Sequence, residues 1–399
     1  MGCLRPREEP EPPNVTPVLR FDAAKLDDDL AELGVDLLVA TSRHNVGYLL
    51  GGYRFFFFDV ETALGLGVYT PVLGYPRGKP DGAFYIGSLV ENHQQHFEPI
   101  WVEDVEFPGF PGADLAGPCA RRIAALGLER GTIGIETSFL PTELYLELRR
   151  QLPEAEFVNA APALEELRRV KQPWEIELIR TASDLIVESM VATFERSHAG
   201  LTTLEIERIM REEEARRGLV FDYCLTTTGH DFNRAPSDRV WEQGASLNLD
   251  SGGRYKGYVG DLSRNGVAGT PTAVQIEILE EVDAVQQAAR SAIRGGALGR
   301  EVDEAGQRRL QESSRRDAGA FLVHGVGLIG HEAPRLVTGG PVPYAGIHAH
   351  RPLEPNMVLS VETSISHPEA GYVKLEDTVI VTPDGSEGVG DGARGWTSV

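Results

Sequence analysis

Cysteine is scarce: Cys3, Cys119 and Cys224 are the only three in 399 residues, and they lie far apart. An odd, dispersed set builds neither a disulfide framework nor a zinc ribbon, and it fits a reducing compartment. Long apolar runs are missing too. The longest, around Tyr48 to Leu50 and Phe55 to Phe58, are far too short to span a bilayer, so no membrane segment is expected. Positive charge is in deficit, with 38 basic against 60 acidic residues and a net charge of −22. Such a surface repels phosphate backbones and anionic lipid, which argues against nucleic acid as a partner. Met1 to Pro13 is charged and proline-rich without an apolar core, unlike a secretory signal. The chain opens Met-Gly-Cys, but Pro6 stands where a myristoylation site takes Ser or Thr. A cytoplasmic location is the expectation, and no repeat of solenoid length is evident.

What is present is a globular composition, 41% hydrophobic and 25% charged, in a chain too long for one core. Behind a disordered tail over residues 1–16, the alternation of helix and strand predicts an α/β domain over 17–170. Its signals are a helix at Ala23 to Leu33 and strands at Val35 to Ala40, Ala83 to Gly87 and Thr132 to Ile135. Near residue 170 the texture changes. Pro173 falls at the first turn of a helix, where its missing N–H costs nothing, and a second domain over 171–399 is expected from there.

In that second domain Ile179, Ala182, Ile186, Met190 and Phe194 recur at helical spacing. Thr202-x-x-Glu205 is a capping box for another helix, which stops before Gly218. Further helices are predicted from Thr272 to the Gly295-Gly296 pair and from Val302 to Arg316. Strands are expected at Ser246 to Asp250, Tyr255 to Leu262, Phe321 to Val323, Val358 to Ile365 and Tyr372 to Val381, an α+β arrangement.

Divalent cations of the hard or borderline kind bind carboxylate oxygens, and an imidazole tilts a site toward transition metals. The second domain offers that inventory. Asp250 ends a strand, Gly252-Gly253 allow a tight connection, and Asp261 sits in the next strand; His324, Glu362 and Glu376 each interrupt an apolar strand further on. An ionised carboxylate on the buried face of a strand is costly unless it is paired or coordinated. Singly, each acid reads as a solvated strand position; together, in this number and order, they supply the ligands of a metal site. Gly325-Val-Gly-Leu-Ile-Gly330 also fits a dinucleotide-binding pattern, but that pattern needs a helix, and Pro334 with Thr338-Gly-Gly-Pro-Val-Pro opposes one.

The order and context of these residues resemble the pita-bread metallopeptidase family, which includes aminopeptidase P, prolidase and the metal-free relative creatinase. The resemblance rests on Leu-Asp250-Ser-Gly with Gly257-Tyr-x-x-Asp261-x-Ser-Arg264, on His324-Gly-x-Gly with His331-Glu332, on Met357-Val-Leu-Ser-Val-Glu362 and on Lys374-x-Glu376-Asp. Upstream, Arg169-x-Lys171-x-x-x-Glu175 is similar to the family's inter-domain helix start, and Asn45-x-x-Tyr48-x-x-Gly51 to a motif of the creatinase-like N-terminal domain. It implies a pita-bread α+β catalytic domain after an α/β creatinase-like domain, in a homodimer. It further implies two divalent ions, manganese foremost with cobalt, zinc or iron compatible. Asp261 and Glu376 bridge them, Asp250 holds one, and His324 with Glu362 hold the other. A water between the ions, ionised near neutral pH, attacks a carbonyl carbon; Glu362 takes its proton and His331 stabilises the oxyanion.

The match also departs from the family pattern. Asn233 and Ala320 stand where proline-specific members carry histidines, Lys374 replaces an arginine, and Glu362-Thr-Ser replaces Glu-Pro-Gly. His230, Asp231, Asn233, Arg234, His348, His350 and Lys374 are candidates for contact with a small peptide or amide substrate. For His348 and His350 the alternative is an exposed loop. Phe55 to Phe58 is either core or a dimer surface. The expected activity is hydrolysis of a peptide or amide C–N bond, foremost an Xaa-Pro bond. The alternatives are a specialised enzyme for ectoine, an amidino compound or dimethylsulfoniopropionate, and a binding module without catalysis.

Overall fold

The structure, a computed structural model, describes residues 18–59, 63–64, 67–109, 113–230, 233–337 and 345–399. The expected tail over 1–16 and the candidate Asp231 lie outside them. The chain forms two compact units, Met1–Leu167 and Arg168–Val399.

In the first unit the strands are β1 (Leu37–Ala40), a small hairpin of β2 (Ala63–Leu64) and β3 (Gly67–Val68), then β4 (Val72–Pro76), β5 (Phe84–Ser88), β6 (Asp104–Gly109), β7 (Thr132–Ile135) and β8 (Glu156–Asn159). Six of them build one mixed sheet in the order β6-β5-β4-β1-β7-β8. Helices α1 (Ala23–Glu32), α2 (Arg43–Leu49), α3 (Glu91–Gln94), α4 (Ala116–Ala125), α5 (Thr142–Gln151) and α6 (Ala161–Arg169) alternate with them. One face is sealed by Leu37, Val39, Ile133 and Ile135 against Ile123, Leu144 and Leu148 from α4 and α5. Of the aromatic run, Phe55 is buried and Phe56 is 56% exposed.

The second unit opens on α7 (Pro173–Arg196), with Pro173 in its first turn, and α8 (Thr203–Arg216), whose Thr202 and Glu205 form the predicted capping box. Its main sheet runs β12 (Gly319–Gly325), β13 (Val358–His367), β14 (Gly371–Val381), β11 (Tyr258–Val267), β10 (Ser246–Tyr255), β9 (Val220–Thr228), with β15 (Ser386–Val389) beside β14 and β16 (Trp396–Ser398) beside β11. The neighbours along that six-strand path are antiparallel. Helices α7 and α8 bury Ile186, Met190, Phe194 and Met210 against Leu247, Leu249 and Leu262. Helices α9 (Ala273–Ala292) and α10 (Gly299–Gln311) bury Val285, Ala289 and Val302 against Val323, Leu359, Val361 and Val379. Side chains alternate across a strand, so the residues between these apolar positions share the opposite face. Asp250, Asp261, His324, Glu362 and Glu376 are all on it.

Two local expectations fail. Asp250 does not end a strand, and Gly252-Gly253 are not a connection: both glycines lie inside β10, and the hairpin turns at Lys256 and Gly257, which have positive φ. The glycines answer packing rather than turning. A Cβ on Gly252 would sit 2.4 Å from the Tyr223 ring, and one on Gly253 would sit 2.5 Å from the Glu214 carboxylate. Strand β9, not among the expected strands, supplies that tyrosine. The segment after Gly325 forms no helix; it doubles back so that Glu332 pairs with Gly325.

Candidate metal centre

The register of the sheet assembles the candidate ligands. Gly252 pairs with Asp261, which sets Asp250 and Asp261 diagonally on one face, and Ser263 pairs with Glu376. Glu362 pairs directly with Glu376, and His324 pairs with Ser360, two residues along the same face from Glu362. Ligand-type atoms of Asp261, His324 and Glu376 lie within 4.8 Å of one another, and all three residues are buried. Among the described residues no other group meets that test.

Neighbours fix these carboxylates. The Tyr223 hydroxyl donates to Asp261 Oδ1 across Gly252, and the Ser360 hydroxyl donates to Glu376 Oε1 at 2.7 Å. Lys374 projects into the middle of the cluster, 2.6 Å from Asp250 Oδ2, 2.5 Å from Glu362 Oε2 and 2.8 Å from Glu376 Oε2. Arg234 donates to the same Asp250 oxygen. Asp250 and Glu362 thus join the cluster through a shared ammonium.

Burial raises the Asp261 carboxyl above its ordinary value, and the charge of Glu376 adds to the rise. For Glu376 burial acts the same way but is outweighed by Lys374 and His324, which hold it well below the usual carboxylate range. Burial opposes the charge on His324, yet Glu376 and Glu362 raise its imidazole to about 9. His331 stacks on that ring with centroids 3.7 Å apart and planes 14° from parallel. Burial, then the positive charge of His324, pushes it down to about 4, so it is a neutral imidazole at working pH.

The residues fit a divalent cation. The Nε2 atom of His324 is buried without a hydrogen-bond partner, 3.6 Å from Glu376 Oε1 and 3.7 Å from Glu362 Oε1. Leaving such an atom unpaired costs about 1–3 kcal/mol, which coordination would remove. An imidazole among carboxylates is the donor set of Mn, Co, Fe or Zn.

The sequence of the second unit carries the same message as this geometry. Residues 177–383 match metallopeptidase family M24, and residues 23–170 match the creatinase/prolidase N-terminal domain. This chain belongs to metallopeptidase family M24. As a member it is a metal-dependent peptidase, and its fold is the one expected, a creatinase-like domain followed by the family's catalytic domain. An uncharacterized peptidase of Bacillus subtilis, YqhT, is 26% identical over 369 residues, covering 91% of this chain and 95% of that protein. An Xaa-Pro dipeptidase of Pyrococcus furiosus is 29% identical over 264 residues, covering 64% of this chain and 72% of that protein. Among solved structures, an Xaa-Pro dipeptidase from Bacillus anthracis superimposes with a TM-score of 0.77 at 23% identity, covering 94% of this chain and 99% of that one. An X-Pro aminopeptidase from Thermotoga maritima does so with a TM-score of 0.76 at 20% identity, covering 93% and 100%. At those identities the structures speak for the fold alone.

The remaining M24 candidates divide. Arg234 and Lys374 stand at the cluster, whereas His230, Asn233 and His350 are exposed. His348 departs from both of its expected roles. It is buried, and its Nδ1 accepts the Arg335 N–H at 2.9 Å, because the loop carrying it folds back on residue 335. Tyr223 lies outside every expected strand and was legible only through the β-branched and aromatic run Val220 to Thr228. Glu332, quoted in the His331-Glu332 motif without a role, is clamped by Lys171 at 2.9 Å and Arg168 at 3.3 Å and anchors the segment that carries His331.

Proposed function

We propose that this M24 peptidase hydrolyses the Xaa-Pro bond of dipeptides and short peptides. Residues 171–399 form the catalytic domain and 17–170 the creatinase-like domain of a cytoplasmic homodimer. Asp250, Asp261, His324, Glu362 and Glu376 hold two divalent ions, foremost manganese. The observation that carries the reading is the convergence of these five side chains from five neighbouring strands on one face of the sheet, in a chain whose relatives include Xaa-Pro dipeptidases.

When bound, such cations polarise a peptide carbonyl and lower the pKa of water enough to make it a nucleophile near neutral pH. The chain supplies the proton handling. Glu362 is the most exposed of the five, with 16% of its side chain accessible; it would take the proton of the attacking water and deliver it to the leaving nitrogen. His331, kept neutral, donates its ring N–H to the carbonyl oxygen as negative charge builds there. Arg234, held on Asp250, and Lys374 supply the positive field for a peptide carboxylate.

The test is turnover by protein purified without chelator and supplied with manganese, on Gly-Pro, a longer peptide with proline at its second position, creatine and ectoine. Manganese-dependent release of proline, abolished in Asp261→Ala, is the expected result. Turnover of creatine or ectoine with both peptides untouched would overturn it.

A further inference from the structure

The ligand face carries one side chain that competes with a metal rather than binding it. Lys374 leaves β14 two residues before Glu376 and is 4% exposed. Its ammonium lies 2.5–2.8 Å from three carboxylate oxygens on three different strands, donating to Asp250 Oδ2 and ion-paired with Glu362 Oε2 and Glu376 Oε2. These three contacts engage one oxygen each of Asp250, Glu362 and Glu376. Arg234 adds a second cation on the same oxygen of Asp250.

The consequence for the five-residue set is a partition. Asp261, His324 and Glu376 keep ligand atoms close enough for one ion, whereas Asp250 and Glu362 do not join that group. Charge points the same way. With His324 neutral, as a metal ligand must be, four carboxylates face two side-chain cations, and a single divalent ion closes that deficit; a second leaves an excess of positive charge in a buried site, which is costly. An ammonium is a compact point charge, closer to a small metal cation than a planar guanidinium is.

Resting on the reading that these five side chains are metal ligands, we propose that the Lys374 ammonium occupies one of the two cation positions of this cluster. The chain takes one divalent ion on Asp261, His324 and Glu376, and a second enters only by displacing Lys374 from Asp250 and Glu362. Metal stoichiometry is therefore set by a lysine of the chain itself, and the second equivalent is the point at which metal supply controls the enzyme.

The experiment is a titration of the full-length chain, stripped with chelator, with manganese(II), followed calorimetrically and by elemental analysis after gel filtration. The wild type should bind one equivalent tightly and a second about 100-fold more weakly. In Lys374→Met and Lys374→Gln, which leave the carboxylates without their ammonium, the second equivalent should tighten until the two affinities lie within about tenfold. Retention of the first equivalent shows that a variant is folded. Two equivalents of like affinity in the wild type would overturn the inference and leave the ligand assignment standing, and so would an unchanged weak second site in both folded variants. No manganese bound at all, in wild type or variants, would overturn the ligand assignment itself.

Discussion

Glu136 in the first unit and Asp261 in the second are both buried acids brought in by a strand, and their surroundings are opposite. Glu136 is 0% exposed and is met by donors on both oxygens: the Thr41 and Ser42 N–H groups at 2.6 and 2.8 Å, the Ser42 hydroxyl at 2.6 Å and the Asn45 amide at 2.6 Å. Glu91, in the same unit, receives the Tyr85 and Tyr53 hydroxyls and the Ser88 N–H. Asp261 instead faces Glu376, has one hydroxyl donor, and shares its pocket with an imidazole nitrogen that has no hydrogen-bond partner and lies 3.6 Å from Glu376 Oε1. A buried carboxylate is cheap when the chain itself saturates it, and expensive when acids are crowded together. The first arrangement holds a loop in place. The second stores unfavourable energy that a divalent ion releases.

The comparison breaks if the two acids respond alike to removal. Glu136→Ala leaves four donors without their acceptor and should lower the unfolding free energy by about 3–5 kcal/mol in a urea titration. Its bound manganese per folded chain should be unchanged. Asp261→Asn should do the reverse: with chelator present the variant gains about 1–2 kcal/mol over wild type at pH 8, because a crowded buried charge is gone, and it loses the stabilisation that manganese gives wild type. Equal destabilisation by both changes would erase the distinction.

That distinction was partly legible beforehand. Asp250, Asp261, His324, Glu362 and Glu376 stood out because each interrupts an otherwise apolar strand, and one-residue alternation then puts all five on one face without any knowledge of the sheet. The helix starts at Pro173 and Thr202 were legible for a similar reason, since their chemistry is local. The misreadings share a non-local cause. Gly252-Gly253 look like a turn because glycine pairs usually are, but what they accommodate is Tyr223 and Glu214, residues of other elements. His348 sits among Gly, Arg and Pro and reads as exposed, yet its partner is a backbone N–H thirteen residues away. The three-way grip of Lys374 also depends on strands that approach only in the fold.

A sharper version of the comparison concerns the one donor that Asp261 does have. Burial, then the charge of Asp261, raises the Tyr223 phenol well above its ordinary range, so it remains an O–H donor at any working pH. Tyr223→Phe removes that hydrogen bond while keeping the ring packed over Gly252. Outer partners of metal ligands are worth about 10–100-fold in metal affinity, and the lower end applies because Asp261 retains its backbone setting. The expected result is a tenfold weaker first manganese equivalent, on the order of 1.4 kcal/mol, with an unchanged urea midpoint in chelator. A shifted midpoint with intact manganese affinity would make Tyr223 a packing residue only.

Glu214 falls between the two kinds of acid and has the smallest expected effect. Its Oε1 accepts the Ser251 hydroxyl at 2.9 Å, while Oε2 is buried without a partner above Gly253. Burial pushes its carboxyl from 4.5 up to about 8. Between those values the folded chain keeps a proton that the unfolded chain has released, so stability falls as pH rises through that window and levels off above it. Glu214→Gln cannot ionise and should lack this slope, although its new amide NH2 at the unpartnered position offsets part of the gain. We expect the variant to be more stable than wild type at pH 8 by on the order of 1 kcal/mol and no more stable at pH 5. Urea titrations at the two pH values in chelator decide it. Parallel losses in wild type and variant would mean that Glu214 is charged throughout, and the slope would then have to come from the crowded acids around Asp261.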